Sequence, residues 1–348
     1  MLYKHLIKPL FFRFDAEKVH HFVTSSLKTT FKIPGIRRCI KSYCTVQSPN
    51  LEKEVFGLHF KNPVGLAAGF DKNADFVKEM NAFGFGFIET GAVTPLAQPG
   101  NPKPRLFRLP EDKALINRMG FNNKGVDYHA RQLIKRPKDL IIGVNLGKNT
   151  ETPNEKAADD YLLLFERLFD YADYFVINVS CPNITDLHEL QDKDFLLEII
   201  GKIQNENRRK PKPKPVLLKI SPDLNNHQLD EVIEIVKESK LSGVIAINTT
   251  VSRDGLQTGN DKVKKIGRGG LSGLPLKQRA LETIRYLSEK SGKAFPIIGV
   301  GGIFTPGDAK AMLEAGADLI QIYTGFIYEG PLVVKKINKY LEKTYKSA

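Results

Sequence analysis

The sequence predicts an α/β fold, a (β/α)8 TIM barrel with a small N-terminal helical appendage. From residue 63 onward, short apolar and β-branched runs alternate with polar or glycine-rich residues and then with stretches of helical periodicity. Continuously apolar strands are buried on both faces, which is typical of a parallel sheet covered by helices. Eight such strands in series favour a closed barrel, and an open doubly wound sheet is the weaker alternative. The eight runs are PVGLAAG, FIETG, LIIGVNLG, YFVINVS, VLLKIS, GVIAINTT, PIIGVGG and LIQIYTG, beginning at residues 63, 87, 140, 174, 216, 243, 296 and 319.

The segments between these strands predict both helices and long rim connections. Helical periodicity covers residues 154–170, 192–207, 226–240 and 306–315. Three strand-to-helix connections are unusually long, at residues 92–123, 180–193 and 248–274. Since long ordered loops are most often functional, we expect these three to form lids or substrate walls at the carboxyl ends of the strands.

Residues 1–45 do not fit the repeat, so we assign the barrel to residues 46–348. Apolar side chains recur at helical spacing over residues 2–11, and Asp15 is a candidate N-cap for a second amphipathic segment. Short helices that carry lysines and phenylalanines can lie on a membrane surface. They can equally pack against the barrel, and the periodicity alone does not separate these two interpretations.

Composition excludes several classes of function. No window reaches the roughly 18 uncharged apolar residues of a membrane-spanning helix. Cys39, Cys44 and Cys181 form neither a disulfide framework nor a zinc motif, and the seven histidines are scattered, so no metal site is predicted. The formal net charge of +13 favours an anionic partner, which leaves anionic lipid, nucleic acid and a phosphorylated ligand as candidates.

Three glycine-rich segments predict a phosphate site. They occupy residues 267–273, 299–309 and 322–326, close to the ends of the last two predicted strands. Glycines let backbone N–H groups approach an anion, and the loops after strands seven and eight are the usual phosphate site of such barrels. The alternative is that these glycines serve tight turns alone.

Asparagines and lysines also follow the predicted strands. A side-chain amide offers both a donor and an acceptor, which matches the edge of a pyrimidine or a flavin ring, although each asparagine alone is more typical of a turn. Lys219 ends a buried strand and therefore needs negative charge nearby, while Lys72 can pair with Asp71 or with a substrate carboxylate. The asparagines are Asn117, Asn145, Asn178, Asn183 and Asn248.

Seven motifs together resemble the dihydroorotate dehydrogenase family. The resemblance covers nearly the whole chain and implies an FMN-containing barrel that oxidises (S)-dihydroorotate to orotate in pyrimidine (UMP) synthesis. The motifs are NPVGLAAGFDKN (62–73), QPGNPKPRLFRL (98–109), INRMGFNN (116–123), NVSCPN (178–183), INTTVSR (247–253), GGLSGLPL (269–276) and IIGVGGI (297–303).

The N-terminal helices and residues 94–109 are similar to the class 2 branch of that family. This branch is membrane-associated and reduces quinone, which enters through a hydrophobic tunnel between the two helices. The resemblance therefore implies a membrane quinone as electron acceptor and N-terminal helices that meet an anionic membrane surface. It also implies a monomer, peripheral on the cytoplasmic face of the inner membrane, with no nucleic-acid partner.

The resemblance carries family roles onto individual residues. FMN contacts are expected at Ala68, Gly69, Phe70, Asp71, Lys72, Ala92, Asn145, Asn178, Lys219, Ile247, Gly273, Gly302, Tyr323 and Thr324. The orotate pocket is expected at Lys72, Asn117, Arg118, Met119, Gly120, Phe121, Asn178, Asn183, Asn248 and Thr249. His20 and Arg108 are expected at the quinone entrance.

Three positions depart from the class 2 pattern. Ala92 occupies a position that is usually Ser or Thr, and Ile247 one that is usually Thr, so both positions lose a hydroxyl. Cys181 stands where class 2 members carry serine as the catalytic base and class 1 members carry cysteine. A cysteine thiol titrates near pH 8.5 before perturbation, so it reaches its basic form far more easily than a serine hydroxyl does.

Three other functions are compatible with parts of the sequence. The first is a soluble class 1-like dihydroorotate dehydrogenase that uses fumarate or NAD. The second is a tRNA-acting flavoprotein such as a dihydrouridine synthase, which would use the positive charge but gives no reason for residues 117–123 or for the N-terminal helices. The third is a non-catalytic phosphate-binding scaffold.

Overall fold

The N-terminal region is helical in the structure, a computed structural model that describes residues 2–179 and 193–346. A π-helical segment, Tyr3–Ile7, leads into α1 (Lys8–Phe11), which is followed by α2 (Ala16–Thr30) and α3 (Ile36–Cys44). The predicted N-cap is confirmed, because the Asp15 carboxylate accepts the backbone N–H of Lys18 at 2.8 Å. The sequence analysis did not predict α3.

A hairpin closes the bottom of the barrel. Strands β1 (Lys53–Val55) and β2 (Leu58–Phe60) pair antiparallel. The Phe60 ring is fully buried and meets the Phe87 ring edge to face, with 5.2 Å between the ring centroids. The hairpin therefore supplies an apolar floor, which leaves the opposite, carboxyl ends of the barrel strands as the open end.

The predicted barrel is confirmed. Eight parallel strands close on themselves, each next to its predecessor along the chain, and the last pairs with the first. The strands are β3 (Val64–Leu66), β4 (Phe87–Val93), β7 (Ile141–Leu146), β8 (Tyr174–Asn178), β9 (Val216–Ile220), β10 (Gly243–Ala246), β12 (Ile297–Val300) and β13 (Leu319–Ile322).

Helices surround the barrel, and the predicted helical segments are confirmed to within a few residues at their ends. Their apolar faces pack onto the outer faces of the strands in one continuous core. They are α4 (Val77–Asn81), α5 (Val126–Leu133), α6 (Ala157–Leu168), α7 (Lys193–Arg209), α8 (Asn226–Glu238), α10 (Lys277–Ser291), α11 (Pro306–Glu314), α12 (Thr324–Glu329) and α13 (Val333–Lys346).

Two of the three long connections contain secondary structure that periodicity did not reveal. Residues 92–123 include β5 (Leu106–Leu109) and β6 (Ala114–Asn117), and residues 248–274 include α9 (Asn260–Ile266) and β11 (Gly270–Gly273). Strand β6 lies between β5 and β11, and both pairings are antiparallel. The two connections are therefore joined in one small sheet over the rim of the barrel. The third connection lies outside the described residues except for its last residue.

Alternation along the strands arranges the barrel interior in layers. On β4, Phe87 and Glu89 point inward because side chains two residues apart share a face. The lowest layer is aromatic, with Phe87 and Tyr174 fully buried, and the next layer contains the fully buried Glu89. Within residues 2–179 and 193–346, no helix is both long enough and apolar enough to cross a lipid bilayer.

Candidate active site

A cavity lies inside the open end of the barrel and brings together most of the predicted site residues. The predicted cofactor residues that line it are Ala68, Gly69, Lys72, Ala92, Asn145, Asn178, Lys219, Ile247, Gly273, Gly302, Tyr323 and Thr324. The predicted substrate residues that line it are Lys72, Asn117, Met119, Gly120, Phe121, Asn178, Asn248 and Thr249. Residues from ten separate parts of the chain therefore surround a single space at the carboxyl ends of the strands, where barrels of this type build their sites.

Three of the cavity asparagines are hydrogen-bonded to one another. The Asn178 amide donates to Asn145 Oδ1 at 2.8 Å, and the Asn248 amide donates to Asn178 Oδ1 at 3.3 Å. The Asn145 amide in turn donates to Glu89 Oε1 at 2.8 Å, and this carboxylate is fully buried below the cavity. The asparagines thus form a polar wall in which each amide has a defined neighbour.

Lys219 has an anionic partner within the protein. Its Nζ lies 4.0 Å from Glu89 Oε1, and both side chains are buried. The sequence analysis expected negative charge near Lys219, and the Glu89 carboxylate provides such a charge. A buried ammonium next to a carboxylate is much less costly than an isolated one.

Lys72 does not pair with Asp71. The Lys72 ammonium donates to Asn122 Oδ1 at 2.5 Å, at the edge of the cavity. The Asp71 carboxylate instead accepts the backbone N–H groups of Asp75 (2.7 Å) and Phe76 (2.8 Å), and so it holds the turn that follows β3. Burial raises the pKa of Asp71 to about 7, against the lowering effect of those two hydrogen bonds.

The three glycine-rich segments meet at one side of the cavity. Gly273 lies against Thr324, and a Cβ added to Gly273 would lie 3.1 Å from Thr324 Cγ2 and only 2.4 Å from the Lys113 carbonyl oxygen. Ser272 and Thr324 share a hydrogen bond of 2.8 Å between their hydroxyl groups. Position 273 therefore has no room for a side chain, because its backbone packs directly against that of Lys113.

The two barrel positions that lack the usual hydroxyl are part of the cavity wall. Ala92 and Ile247 both line it and are almost fully buried. Neither can donate a side-chain hydrogen bond, so both positions offer only backbone groups and apolar surface.

A few predicted residues are not placed in this cavity. Phe70 and Asp71 line a neighbouring cavity instead. The Arg118 guanidinium points away, because it donates to the carbonyl groups of Ile266 and Pro104 and lies 4.7 Å from the Phe107 ring centroid. Arg118 itself is not among the residues that line the cavity. Cys181 and Asn183 lie outside the described residues.

The neighbouring cavity is a tunnel of about 600 Å³ between the N-terminal helices and the barrel. We call it the tunnel. His20 and Arg108, the two residues predicted at a quinone entrance, both line it. The Arg108 guanidinium donates to the carbonyl oxygen of Phe14 at 2.7 Å and lies 4.7 Å from the Phe12 ring centroid. Arg108 thereby ties β5 to the segment that joins α1 and α2.

His20 is an uncharged side chain at neutral pH. Its ring lies edge to face with Phe70, at 5.2 Å between centroids, and with Phe76, at 5.7 Å. Burial lowers the pKa of His20 to about 4, with smaller lowering effects from His21 and Lys72. A neutral imidazole among aromatic rings suits a tunnel that admits an apolar molecule.

The tunnel and the barrel cavity share one wall. A molecule in the tunnel can therefore come within a single layer of side chains of a molecule in the barrel. The residues that line both spaces are Gly69, Lys72, Leu106, Leu115, Met119 and Tyr323.

Sequence reasoning missed three side chains that organise the site. Glu89 and Gln321 lie beneath the asparagines, where Gln321 donates to Glu89 Oε2 at 2.6 Å, and Ser272 holds the glycine segments together. A signal for Glu89 was present, since a charged residue inside FIETG contradicts a strand that is buried on both faces. Among the described residues, no group of three or more His, Cys, Asp or Glu side chains could hold a metal ion.

The barrel, its polar mouth and the adjoining tunnel together define an oxidoreductase with room for two reactants. Comparison with known proteins gives the family. The family model for dihydroorotate dehydrogenase matches residues 50–345, so the chain belongs to the dihydroorotate dehydrogenase family. This confirms the resemblance found in the sequence.

Named relatives point to one branch of the family. The chain is similar to a protein of Christiangramia forsetii named dihydroorotate dehydrogenase (quinone), at 58% identity over 98% of this chain and 99% of the relative. It is also similar to a protein of the same name from Thermosynechococcus vestitus, at 46% identity over 97% of this chain and 95% of the relative. The similarity to quinone-dependent members, predicted from the sequence, is confirmed at full length.

A solved structure supports the same conclusion. The crystal structure of the Eimeria tenella enzyme in complex with ferulenol superposes with a TM-score of 0.84 at 36% identity. The match covers 94% of this chain and 90% of that one. The fold is thus shared with a relative of moderate identity over most of both chains.

Proposed function

We propose that this chain oxidises (S)-dihydroorotate to orotate in pyrimidine (UMP) biosynthesis and passes the electrons to a membrane quinone. The observation that carries the proposal is the shared wall between the barrel cavity and the tunnel. Two substrates that react in turn need two approaches to one redox centre, and this geometry offers both. The quinone-dependent relatives support the same assignment.

The cofactor that we propose is FMN, which when bound supplies the acceptor for the hydride that leaves C6 of the substrate. The donors in the cavity fit this group. Lys219, with Asn145 and Asn178 beside it, offers cationic and amide hydrogen bonds to the carbonyl-rich edge of a flavin ring. Gly273 and Gly302 border the same cavity, and glycine lets backbone N–H groups approach a phosphate closely. We keep the fourteen predicted FMN residues as the proposed set, with Phe70 and Asp71 acting from the tunnel side.

The substrate is proposed to lie between the asparagines and residues 117–121. Asn117 and Asn248 line the cavity and can pair with the carbonyl and N–H groups of the pyrimidine ring. The Lys72 ammonium, already at the cavity edge, is the proposed partner of the substrate carboxylate. Thr249 and the backbone of Met119 and Gly120 complete the proposed set, together with Asn183.

Cys181 is the proposed catalytic base. The Cys181 thiolate takes the proton from C5 as the C5=C6 double bond forms. The proposal rests on the position of Cys181 in NVSCPN directly after β8, whose last residue, Asn178, is part of the asparagine wall. A thiolate is accessible near neutral pH, since a free thiol titrates near 8.5.

Residues 1–45 are proposed to form the membrane and quinone-tunnel extension, with residues 46–348 as the FMN-binding barrel. Several large apolar side chains of the extension are exposed, which is unusual on a monomer surface unless the surface meets a partner or a membrane. Arg37 and Arg38 are exposed in the same region and could meet anionic lipid. The exposed apolar side chains are Leu2, Leu6, Leu10, Phe14, Phe22 and Ile33.

We propose that the protein is a monomer, peripheral on the cytoplasmic face of the inner membrane, with these exposed apolar side chains facing the lipid. The membrane assignment is tested by sedimentation with vesicles of anionic and of neutral lipid. Co-sedimentation with anionic vesicles that decreases as salt is added supports the assignment. Failure to co-sediment with either kind of vesicle contradicts it.

The function is tested by assaying quinone, fumarate and NAD in parallel on one preparation. Quinone reduction alone supports the proposal, whereas turnover with fumarate or NAD would favour the class 1-like alternative suggested by Cys181.

Deleting residues 1–45 should abolish quinone reduction while dihydroorotate still bleaches the flavin absorbance. A colourless protein or a salt-dependent shift with tRNA would contradict the proposal.

A further inference from the structure

Three buried side chains and one partly buried side chain form a continuous run of hydrogen bonds beneath and along the barrel cavity. Glu89 Oε1 accepts from the Asn145 amide at 2.8 Å, and Asn145 Oδ1 accepts from the Asn178 amide at 2.8 Å. Asn178 Oδ1 then accepts from the Asn248 amide at 3.3 Å. We call Glu89–Asn145–Asn178–Asn248 the amide chain. It connects strands β4, β7 and β8 with the segment after β10.

Both ends of the amide chain impose the same direction. A side-chain amide can turn over and exchange its donor with its acceptor, so three amides alone would have two possible orders. At one end the carboxylate of Glu89 accepts from Asn145 and, through its other oxygen, from Gln321. At the other end Asn248 Oδ1 accepts the backbone N–H of Thr249 at 2.9 Å, and this group can only donate. Every amide in the chain therefore points its oxygen away from Glu89.

This direction decides what the cavity presents to a ligand. Each amide nitrogen uses one N–H within the chain and keeps the second for a neighbour outside it, and each amide oxygen keeps one lone pair. Asn145, Asn178 and Asn248 all line the cavity. A reversed chain would place donors where acceptors now lie, so a planar ring with alternating C=O and N–H groups would meet the wrong partners.

Glu89 occupies a position that packing alone does not explain. It is fully buried in a strand whose other residues are all buried, directly above an aromatic layer. An apolar side chain there would avoid the cost of burying a charge. The carboxylate instead accepts hydrogen bonds from Asn145 and Gln321 and pairs with the ammonium group of Lys219. Of these three partners, Asn145 connects Glu89 to the other cavity asparagines.

We infer that Glu89 is a positioning residue that fixes the orientation of the substrate-facing amides through the amide chain. Glu89 need not touch the substrate to do this. The inference rests on the proposed function, because it takes the ligand of Asn145, Asn178 and Asn248 to be the pyrimidine and flavin rings.

The test compares Glu89→Met with Glu89→Gln in the flavin-loaded protein. Methionine keeps the length of the side chain but removes the acceptor for Asn145. Glutamine keeps one acceptor oxygen, and its amide can pair with Gln321, whose own Oε1 has no hydrogen-bond partner among the described residues. The dissociation constant of orotate is measured by the change that it causes in the flavin absorption spectrum, alongside flavin content and the thermal unfolding temperature.

The expected result is an orotate dissociation constant at least tenfold higher in Glu89→Met and within about threefold of wild type in Glu89→Gln, with flavin retained in both. Orotate affinity unchanged in Glu89→Met overturns the inference. The inference is also overturned if both variants lose orotate affinity equally and in proportion to the fall in their unfolding temperatures. A residue with a purely structural role would give that result.

A third variant keeps the test decisive if Glu89→Met does not fold. Glu89→Asp retains the charge and draws the carboxylate back from Asn145, so a dissociation constant at least threefold higher is expected, and wild-type affinity overturns the inference. The result is also separable from the proposed function. Wild-type protein that fails to bind orotate contradicts the function, whereas wild-type binding with an unaffected variant contradicts only the role of Glu89.

Discussion

Glu17 on α2 and Arg105 in the connection before β5 form a buried ion pair with two parallel hydrogen bonds. Arg105 Nε lies 3.1 Å from Glu17 Oε2, and Arg105 Nη2 lies 2.7 Å from Glu17 Oε1, with only 7% of each side chain exposed. Arg105 also donates to the carbonyl oxygens of Pro99 and Asn101. One guanidinium thus holds the N-terminal helices to the rim of the barrel.

Replacing Glu17 with glutamine should destabilise the protein by about 3 kcal/mol at pH 7, because it leaves the Arg105 charge buried without its carboxylate. Urea unfolding at fixed flavin content measures this loss. The exposed pair of Asp127 and Arg167 provides the control, since Asp127→Asn removes a comparable contact that solvent already screens. Equal losses in the two variants would contradict the importance of the buried pair.

The contribution of Glu17 should also depend on pH. Burial raises the pKa of Glu17, but hydrogen bonding and charge from Arg105 and Lys103 outweigh it and leave the pKa below the usual value of 4.5. A depressed folded-state pKa gives stability that is present above pH 4.5 and is lost as the pH falls through the folded-state value. The difference in unfolding free energy between wild type and Glu17→Gln should therefore shrink steadily below pH 4.5. A difference that stays constant down to pH 3 would contradict this assignment.

Replacing His20 with alanine should impair the quinone half-reaction alone. The variant loses two edge-to-face ring contacts in the tunnel wall, worth about 0.5–1.5 kcal/mol each, so we expect a roughly tenfold rise in KM for quinone. Stopped-flow measurement of flavin reduction by dihydroorotate should give the wild-type rate. His227→Ala is the control, because that side chain is largely exposed and does not line the tunnel. Equal effects of the two substitutions would show that His20 has no specific role.

The proposed role of Cys181 as the catalytic base can be tested by two substitutions. General-base catalysis contributes about 10²- to 10⁴-fold, so Cys181→Ala should slow flavin reduction by at least the lower figure. Cys181→Ser should keep partial activity, with its pH profile displaced upward because a hydroxyl loses its proton far less readily than a thiol. Near wild-type reduction in the alanine variant would exclude Cys181 as the base. An undisplaced profile in the serine variant would assign the observed ionisation to another group.

His129 should make the protein less stable in mild acid. The imidazole is fully buried, with Nε2 3.0 Å from Thr90 Oγ1, and burial lowers the pKa of His129 to about 4. An unfolded histidine titrates near 6.5, so the unfolded state takes up a proton first and the free energy of unfolding should fall between pH 6.5 and 4. His129→Leu should flatten this part of the stability curve. The same substitution at the exposed His227 serves as the control, and an unaltered slope in His129→Leu would contradict the prediction.

The barrel could be predicted from sequence because its strands carry strong local signals. Continuous apolar runs such as those at residues 174–178 and 216–220 correspond to buried parallel strands with little adjustment at their ends. The rim sheet could not be predicted in the same way. Its strands are only four residues long, and β6 pairs with β11, which lies more than 150 residues later in the chain, so its stability depends on contacts that no short window contains.

The site was predictable where a side chain follows a strand, and less so elsewhere. Asn145, Asn178 and Lys219 fall in one cavity because parallel strands bring their carboxyl ends together. Arg118 shows that a role cannot always be carried across by motif, since Arg118 does not line the cavity and its guanidinium donates to the carbonyl groups of Ile266 and Pro104. The role of Glu89 could not be predicted from the sequence, because only the folded barrel shows that its carboxylate oxygens accept from Asn145 and Gln321.

The wall that separates the tunnel from the barrel cavity also limits how the protein could evade an inhibitor lodged in the tunnel. Leu106, Leu115 and Met119 face both spaces, so a substitution that weakens inhibitor contact there also reshapes the pocket of the other reactant. Val23 and Leu27 face the tunnel alone. Escape substitutions with little loss of catalysis are therefore expected on the helical side of the tunnel, and compounds that bind against the barrel side should meet resistance more slowly.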